Sequence, residues 1–281
     1  MMSTDMQDAT RWLIRPAGRI AYDDSGGAGP LVVAIPGLGD LRQEYRFLAP
    51  RLVAAGYRVV TMDVRGHGES SVDWPDYFTQ SVGADALALV ESLKAGPALL
   101  IGTSMAGGAI AWAAAERPDL VAGLVLINPF VRPIPASALQ TLMVKTLMRR
   151  PWGPTAWGYY YQSLYPTQRP ADFDEYKVTL VANLKQPGRF EAAEAMMDDD
   201  KAAVEPRLGE VRAPSLVLMG GKDPDFPDPA AEGSLVAERL HGATHVIDGA
   251  GHYPHVEFPE PTAARILAFL AETREAVTPG R

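Results

Sequence analysis

The 281-residue chain contains no cysteine, which excludes disulfide staples, thiolate metal sites and a cysteine nucleophile. It has no apolar run long enough to span a bilayer, so no membrane association is expected. Its opening stretch, Met1 to Asp8, carries neither a basic nor an apolar segment; no targeting leader is expected, and a cytoplasmic location is the simplest reading. Positive charge is in deficit. Against 34 Asp and Glu stand 26 Lys and Arg, and the formal charge of -8 repels phosphate backbones, so nucleic acid is not an expected partner. Histidine is scarce too, and the five present are the whole supply of imidazole.

What is there is a globular balance: 47% hydrophobic and 21% charged residues exclude a disordered chain. The length allows two domains or one enlarged α/β domain. Surface scaling predicts that nearly three quarters of the unfolded surface, roughly 44,000 Å² falling to about 12,000 Å², is buried on folding.

Short Val, Ile and Leu runs at Leu31 to Ile35, Arg58 to Met62, Ala98 to Ile101 and Ala122 to Ile127 predict strands buried on both faces. Helical spacing lies between them, at Phe47 to Ala55, Val82 to Leu93 and Ala106 to Ala115. Such alternation predicts a parallel sheet wound by crossovers. Trp12 to Ile14 and Arg19 to Tyr22, separated by Pro16-Ala17-Gly18, predict an edge hairpin. After Asn128 a series of prolines breaks the pattern into short aromatic and Met-rich pieces, with helical spacing at Ala136 to Met148 and Phe173 to Leu184. Strands resume at Ser215 to Met219 and Thr244 to Ile247, and a last helix is expected from Pro261 to Ala271 before a frayed tail at Thr278 to Arg281. This divides the chain into a core in two parts, residues 1–129 and 211–281, around a helical insertion at 130–210.

Chemistry concentrates at Leu99-Leu100-Ile101-Gly102-Thr103-Ser104-Met105-Ala106-Gly107-Gly108, where an apolar strand runs through small residues into a helix. A serine on such a corner needs small neighbours two residues away on either side, and Gly102 and Ala106 supply them. The helix after Ser104 also turns free N–H groups toward the same point. Taken alone, the pentapeptide is equally consistent with an ordinary helix cap. A serine nucleophile needs a base, and the base an orienting acid. His252, in the glycine-rich loop Gly249-Ala250-Gly251-His252 after the last strand, is the candidate base, while His67, His241, His245 and His255 are expected to be surface or hydrogen-bonded residues. Asp223 and Asp225 directly follow the Ser215 to Met219 strand; Asp223 is preferred for its nearness to the strand end, with simple turn formation as the alternative for both. Asn128, at the end of an earlier strand, makes that other acid position neutral.

These motifs, with Asp63-Val64-Arg65-Gly66-His67-Gly68-Glu69-Ser70 and Gly251-His252-Tyr253-Pro254, make nearly the whole chain resemble the α/β-hydrolase superfamily, in its form with a cap inserted after the sixth strand. The resemblance implies a mostly parallel, twisted eight-stranded sheet with helices on both faces, an α-helical cap and a Ser104, Asp223, His252 triad in that chain order. It also implies an oxyanion hole from the backbone N–H groups of Leu38 and Met105, although Pro36 stands where the family usually has histidine and Ala106 where most members have glycine. A dinucleotide role for Gly37-Leu38-Gly39 fails because the third glycine position holds Arg42.

The implied function is hydrolysis of a small or medium, hydrophobic carboxylic ester or related acyl substrate through an acyl-enzyme, with no cofactor and no metal. Alternatives are a cofactor-free haloperoxidase or perhydrolase, a C–C bond hydrolase, or a non-catalytic ligand receptor of the same fold. A metal hydrolase built on His252 and His255 is disfavoured by Pro254 and by the lack of His-Glu-x-x-His. A small-molecule substrate is the expected partner, and a homo-oligomer is compatible with this reading. Aromatic and Met content at 130–210 predicts an apolar lid, any one residue of which is expected to be lid packing.

Overall fold

Val32 and Ala34 face one side of the sheet and Val33 and Ile35 the other, which is why β3 (Leu31–Ile35) reads as an unbroken apolar run. The computed structural model describes residues 10–134, 146, 148–149, 151–199 and 201–277. The helix expected at 136–148 and the tail at 278–281 lie outside the described residues, positions 146 and 148 apart.

Eight strands form one sheet. The others are β1 (Arg11–Arg15), β2 (Gly18–Asp24), β4 (Arg58–Met62), β5 (Ala98–Thr103), β6 (Val121–Ile127), β7 (Ser215–Gly220) and β8 (Ala243–Ile247). Their order across the sheet is β1-β2-β4-β3-β5-β6-β7-β8. The β1–β2 hairpin is antiparallel, as is the β2–β4 pairing; every later pairing is parallel. Helices α1 (Ala49–Ala54) and α8 (Pro259–Val277) cover one face through Leu52, Ala263, Ile266 and Phe269. On the other face α2 (Thr79–Leu93), α3 (Met105–Glu116) and α7 (Pro229–Arg239) pack through Val82, Ala109 and Val236. The folded surface of 12437 Å² agrees with the scaling from chain length.

Helix bounds differ from the sequence reading where proline decides them. The helix expected at Phe47 to Ala55 is a 3-10 turn at Arg42–Arg46 followed by α1, whose first turn holds Pro50, the place where a missing N–H costs nothing. The last helix starts two residues earlier, with Pro259 and Pro261 both in its first turn, and runs to Val277.

Between β6 and β7 lie α4 (Gly153–Ser163), α5 (Phe173–Leu184) and α6 (Arg189–Met197). Trp157, Tyr161, Tyr165, Phe173 and Phe190 form a third apolar cluster that closes on Tyr253 and Val256 of the core. Arg46 anchors this layer with two hydrogen bonds to Asp172, of 2.6 and 3.0 Å. Much of the aromatic content of this segment is internal packing, the expectation for any one of its residues, whereas Tyr159 and Trp152 are exposed.

Candidate active site

Ser104 sits between β5 and α3 with φ 58° and ψ -125°. A non-glycine residue in this region costs about 1–3 kcal/mol and persists only where its surroundings hold it. Here the Ser104 N–H donates to Ile127 O (2.8 Å), while its carbonyl accepts from Gly107 N and Phe130 N (3.0 Å each). Gly102 lets the corner close, since a Cβ there would lie 2.5 Å from the Ala106 carbonyl oxygen. Ala106 itself fits fully buried. The Ser104 side chain belongs to a partly exposed residue.

The loop after β7 places Asp223 against the loop after β8. Asp223 Oδ2 is 2.6 Å from His252 Nδ1, and both residues are buried. The other Asp223 oxygen accepts the Asp225 N–H at 2.9 Å, which fixes the carboxylate plane. Asp225 Oδ2 lies 3.6 Å from His252 Nδ1 and accepts the Tyr160 hydroxyl of α4 at 2.6 Å. Burial pulls the His252 imidazole down, but the charge and hydrogen bond of Asp223, aided by Asp225 and Glu44, outweigh it and push the pKa up to about 9. Burial, with the Asp223 charge adding to it, raises the Asp225 carboxyl against the pull of His252.

Backbone and side-chain contacts link this pair to the surroundings of the serine. Ile127 accepts the Ser104 N–H, and the next residue, Asn128, donates its amide to His252 O (2.8 Å) and Gly251 O (3.2 Å). Phe130 donates its N–H to Ser104 O while its ring centroid lies 6.0 Å from that of His252. Gly37, after β3, comes so near that a Cβ on it would be 3.1 Å from Ser104 Cβ, which sets Leu38 beside the serine as well. Met105 is the first residue of α3, where a backbone N–H has no acceptor inside the helix.

The other histidines divide. His241 and His245 are exposed. His67 is buried and hydrogen-bonded through both ring nitrogens. His255 is buried, not at the surface; its ring stacks on Tyr45 (5.2 Å) and its Nε2 lies 2.9 Å from Glu44 Oε1, with neither atom in a hydrogen bond. It is thus turned to Glu44 and not paired with His252 as a metal ligand.

Residues 32–265 match the model of the alpha/beta hydrolase family. The chain belongs to that family. It is 27% identical over 206 residues to 3-oxoadipate enol-lactonase 2 of Acinetobacter baylyi, covering 73% of this chain and 75% of that protein. It is 31% identical over 278 residues to polyketide synthase ThaQ of Burkholderia thailandensis, an alignment that takes in 94% of this chain but only 13% of that much longer protein. Bromoperoxidase from Bacillus anthracis superposes with a TM-score of 0.80 at 21% identity, over 94% of this chain and all of that one, a likeness of fold.

In this α/β hydrolase, Asn128 does more than neutralise an acid position. Its Oδ1 accepts Gly220 N–H (2.8 Å) from the end of β7 while its amide holds the histidine loop, so one side chain ties three strand ends together. Tyr160 was also not legible as a site residue, because it reaches Asp225 across 65 positions, and Glu44, only seven positions from Gly37, lies in no motif that marks it. Among the described residues, Asp223, Asp225 and His252 are the one group whose ligand atoms lie close enough to share a metal ion. The 2.6 Å Asp223–His252 contact is a hydrogen-bond separation, shorter than two ligand atoms each about 2 Å from a tetrahedral ion would keep. No described helix is long and apolar enough to cross a membrane.

Proposed function

We propose that the chain is a serine hydrolase that cleaves small or medium hydrophobic carboxylic esters, cyclic esters included, through an acyl-enzyme. The observation that carries this is the buried Asp223–His252 hydrogen bond of 2.6 Å next to a serine held in a strained strand-to-helix corner. His252 Nε2 takes the Ser104 proton as Oγ attacks the carbonyl carbon, and the carbonyl π pair moves onto oxygen, facing the N–H groups of Leu38 and Met105. Collapse expels the alkoxide, which His252 protonates. Water, deprotonated by His252, then attacks the acyl-enzyme; the acid leaves and Ser104 regains its proton. Asp223 keeps the imidazole in the tautomer that accepts at Nε2 and stabilises the imidazolium. Phe130, its ring 6.0 Å from that of His252 and backed by Phe226 at 4.9 Å, gives the reacting centre an apolar flank. The enol-lactonase relative is the reason for a lactone in the test panel.

A fluorophosphonate probe tests the reading. The wild type should be labelled and Ser104→Ala should not, and p-nitrophenyl esters of graded acyl length together with an enol-lactone should be turned over equally well in a chelator. A folded wild type that takes no label removes the hydrolase reading and favours the receptor. A labelled protein that cleaves no ester or lactone shifts the assignment to C–C cleavage or peracid formation.

A further inference from the structure

The loop Gly37-Leu38-Gly39 is gripped on both sides of its central residue. Gly37 N–H donates to Glu44 Oε2 at 2.9 Å, and Gly39 N–H donates to His67 Nε2 at 3.0 Å. Glu44 and His67 are each about 1% exposed. Leu38 N–H, between the two, has no acceptor among the described residues. The geometry points to Glu44 and His67 as positioning residues for the oxyanion hole: by engaging the N–H groups on either side, they leave the Leu38 N–H as the one donor of this turn directed at the reacting oxygen. The inference rests on the serine hydrolase reading and deepens it.

The two grips are chemically distinct. A ring nitrogen that accepts from a backbone N–H must be unprotonated, and the other nitrogen of His67, Nδ1, lies 3.0 Å from Arg65 O, which it can meet only as a donor. The neutral Nδ1–H tautomer satisfies both contacts. Burial, against the Arg65 carbonyl and with the Arg189 charge, pushes His67 down to about 4, so the tautomer is held throughout the neutral range. Glu44 belongs to the 3-10 turn that follows the loop, and its second oxygen faces His255 at 2.9 Å. The loop itself has no slack: Gly39 takes φ 74°, a Cβ there would overlap the Trp157 ring, and Asp40 N–H closes back onto Gly37 O at 3.2 Å. A displacement of about 1 Å at such a donor is enough to cost about 10²-fold in rate.

Four variants and two readouts test this. His67→Leu and Glu44→Leu remove the acceptors, whereas His67→Gln and Glu44→Gln retain one. In p-nitrophenyl butyrate hydrolysis the leucine variants should lose about 10- to 100-fold in kcat with KM within about threefold, and the glutamine variants should recover most of that loss. Phosphonylation of Ser104 by the fluorophosphonate should slow in parallel, since it builds charge on the same oxygen. If a leucine variant fails to fold, Glu44→Asp keeps the charge, withdraws the acceptor by one methylene and should show the same fall in kcat. Leucine or aspartate variants with wild-type kcat and labelling rate, or with a loss confined to KM, overturn the inference while a labelled wild type leaves the hydrolase reading standing. An unlabelled wild type overturns both.

Discussion

Replacing Asp223 by Asn removes a charge 2.6 Å from His252 Nδ1 with almost no change in volume, so its effect can be worked out. In the native site His252 is raised from 6.5 to about 9. That corresponds to about 3 kcal/mol of preference for the imidazolium, the species that must form as Ser104 attacks. Loss of this preference predicts a fall in kcat/KM of about 10²-fold, and of about 10⁴-fold if the Asn amide donates to Nδ1 and traps the wrong tautomer. Activity should rise as His252 loses its proton, with a wild-type midpoint drawn up from 6.5 toward 9. In Asp223→Asn the midpoint should move down, because burial then acts with only Asp225 and Glu44 to oppose it. A pH series of kcat/KM for a p-nitrophenyl ester from pH 5 to 10 reads both quantities, with Asp225→Asn alongside. Asp225 stands 3.6 Å away and is partly engaged by Tyr160, so its removal should cost less. If Asp223→Asn keeps the wild-type rate and midpoint while Asp225→Asn loses them, the assignment of the acid is wrong.

Gly102→Ala should open the serine corner, because the new Cβ meets backbone atoms of Ala106 and Gly107 at 2.5 to 3.0 Å; a stability loss of about 1–3 kcal/mol in urea unfolding and a sharp drop in Ser104 labelling are expected. The same raised histidine predicts a pH dependence of stability. Between 6.5 and about 9 the native state binds the His252 proton more than the unfolded chain does, so this contribution is fully present below 6.5 and lost as pH climbs through 9. Urea unfolding at pH 6 and pH 9.5 should show the wild type losing about 3 kcal/mol more than His252→Gln over that interval; equal losses would contradict the ion pair.

The sheet was legible because its signals are local. Leu31–Ile35 and Arg58–Met62 coincide with their expected bounds, since apolar runs flanked by glycine and proline leave little choice of register. The Gly102-Thr103-Ser104 corner was equally local, needing only small residues at set spacings. What escaped the sequence is contact between distant segments: Tyr176 donates to Asp40 across 136 positions, and Tyr160 to Asp225 across 65. Asp40 shows the cost of that blindness. It looks like a loop aspartate, yet it is completely buried, and burial together with the Glu44 charge pushes it up to about 7 despite the Tyr176 hydroxyl. Nor could spacing tell which face His255 would turn to, because Pro254 places it in a four-residue helix that buries its ring on Tyr45.

The amide of Asn128 indexes the loops carrying base and acid to the strand beside the serine, and the helical layer after β6 clasps the same loops from its own side, where Leu164 O accepts the His252 N–H at 3.0 Å and the Tyr160 hydroxyl meets Asp225. Alignment of the reacting groups is thereby shared between the sheet and the helices inserted after β6. A graft that replaced those helices would therefore have to rebuild the carbonyl that accepts from His252 and the hydroxyl on Asp225, or it would disturb turnover along with fit.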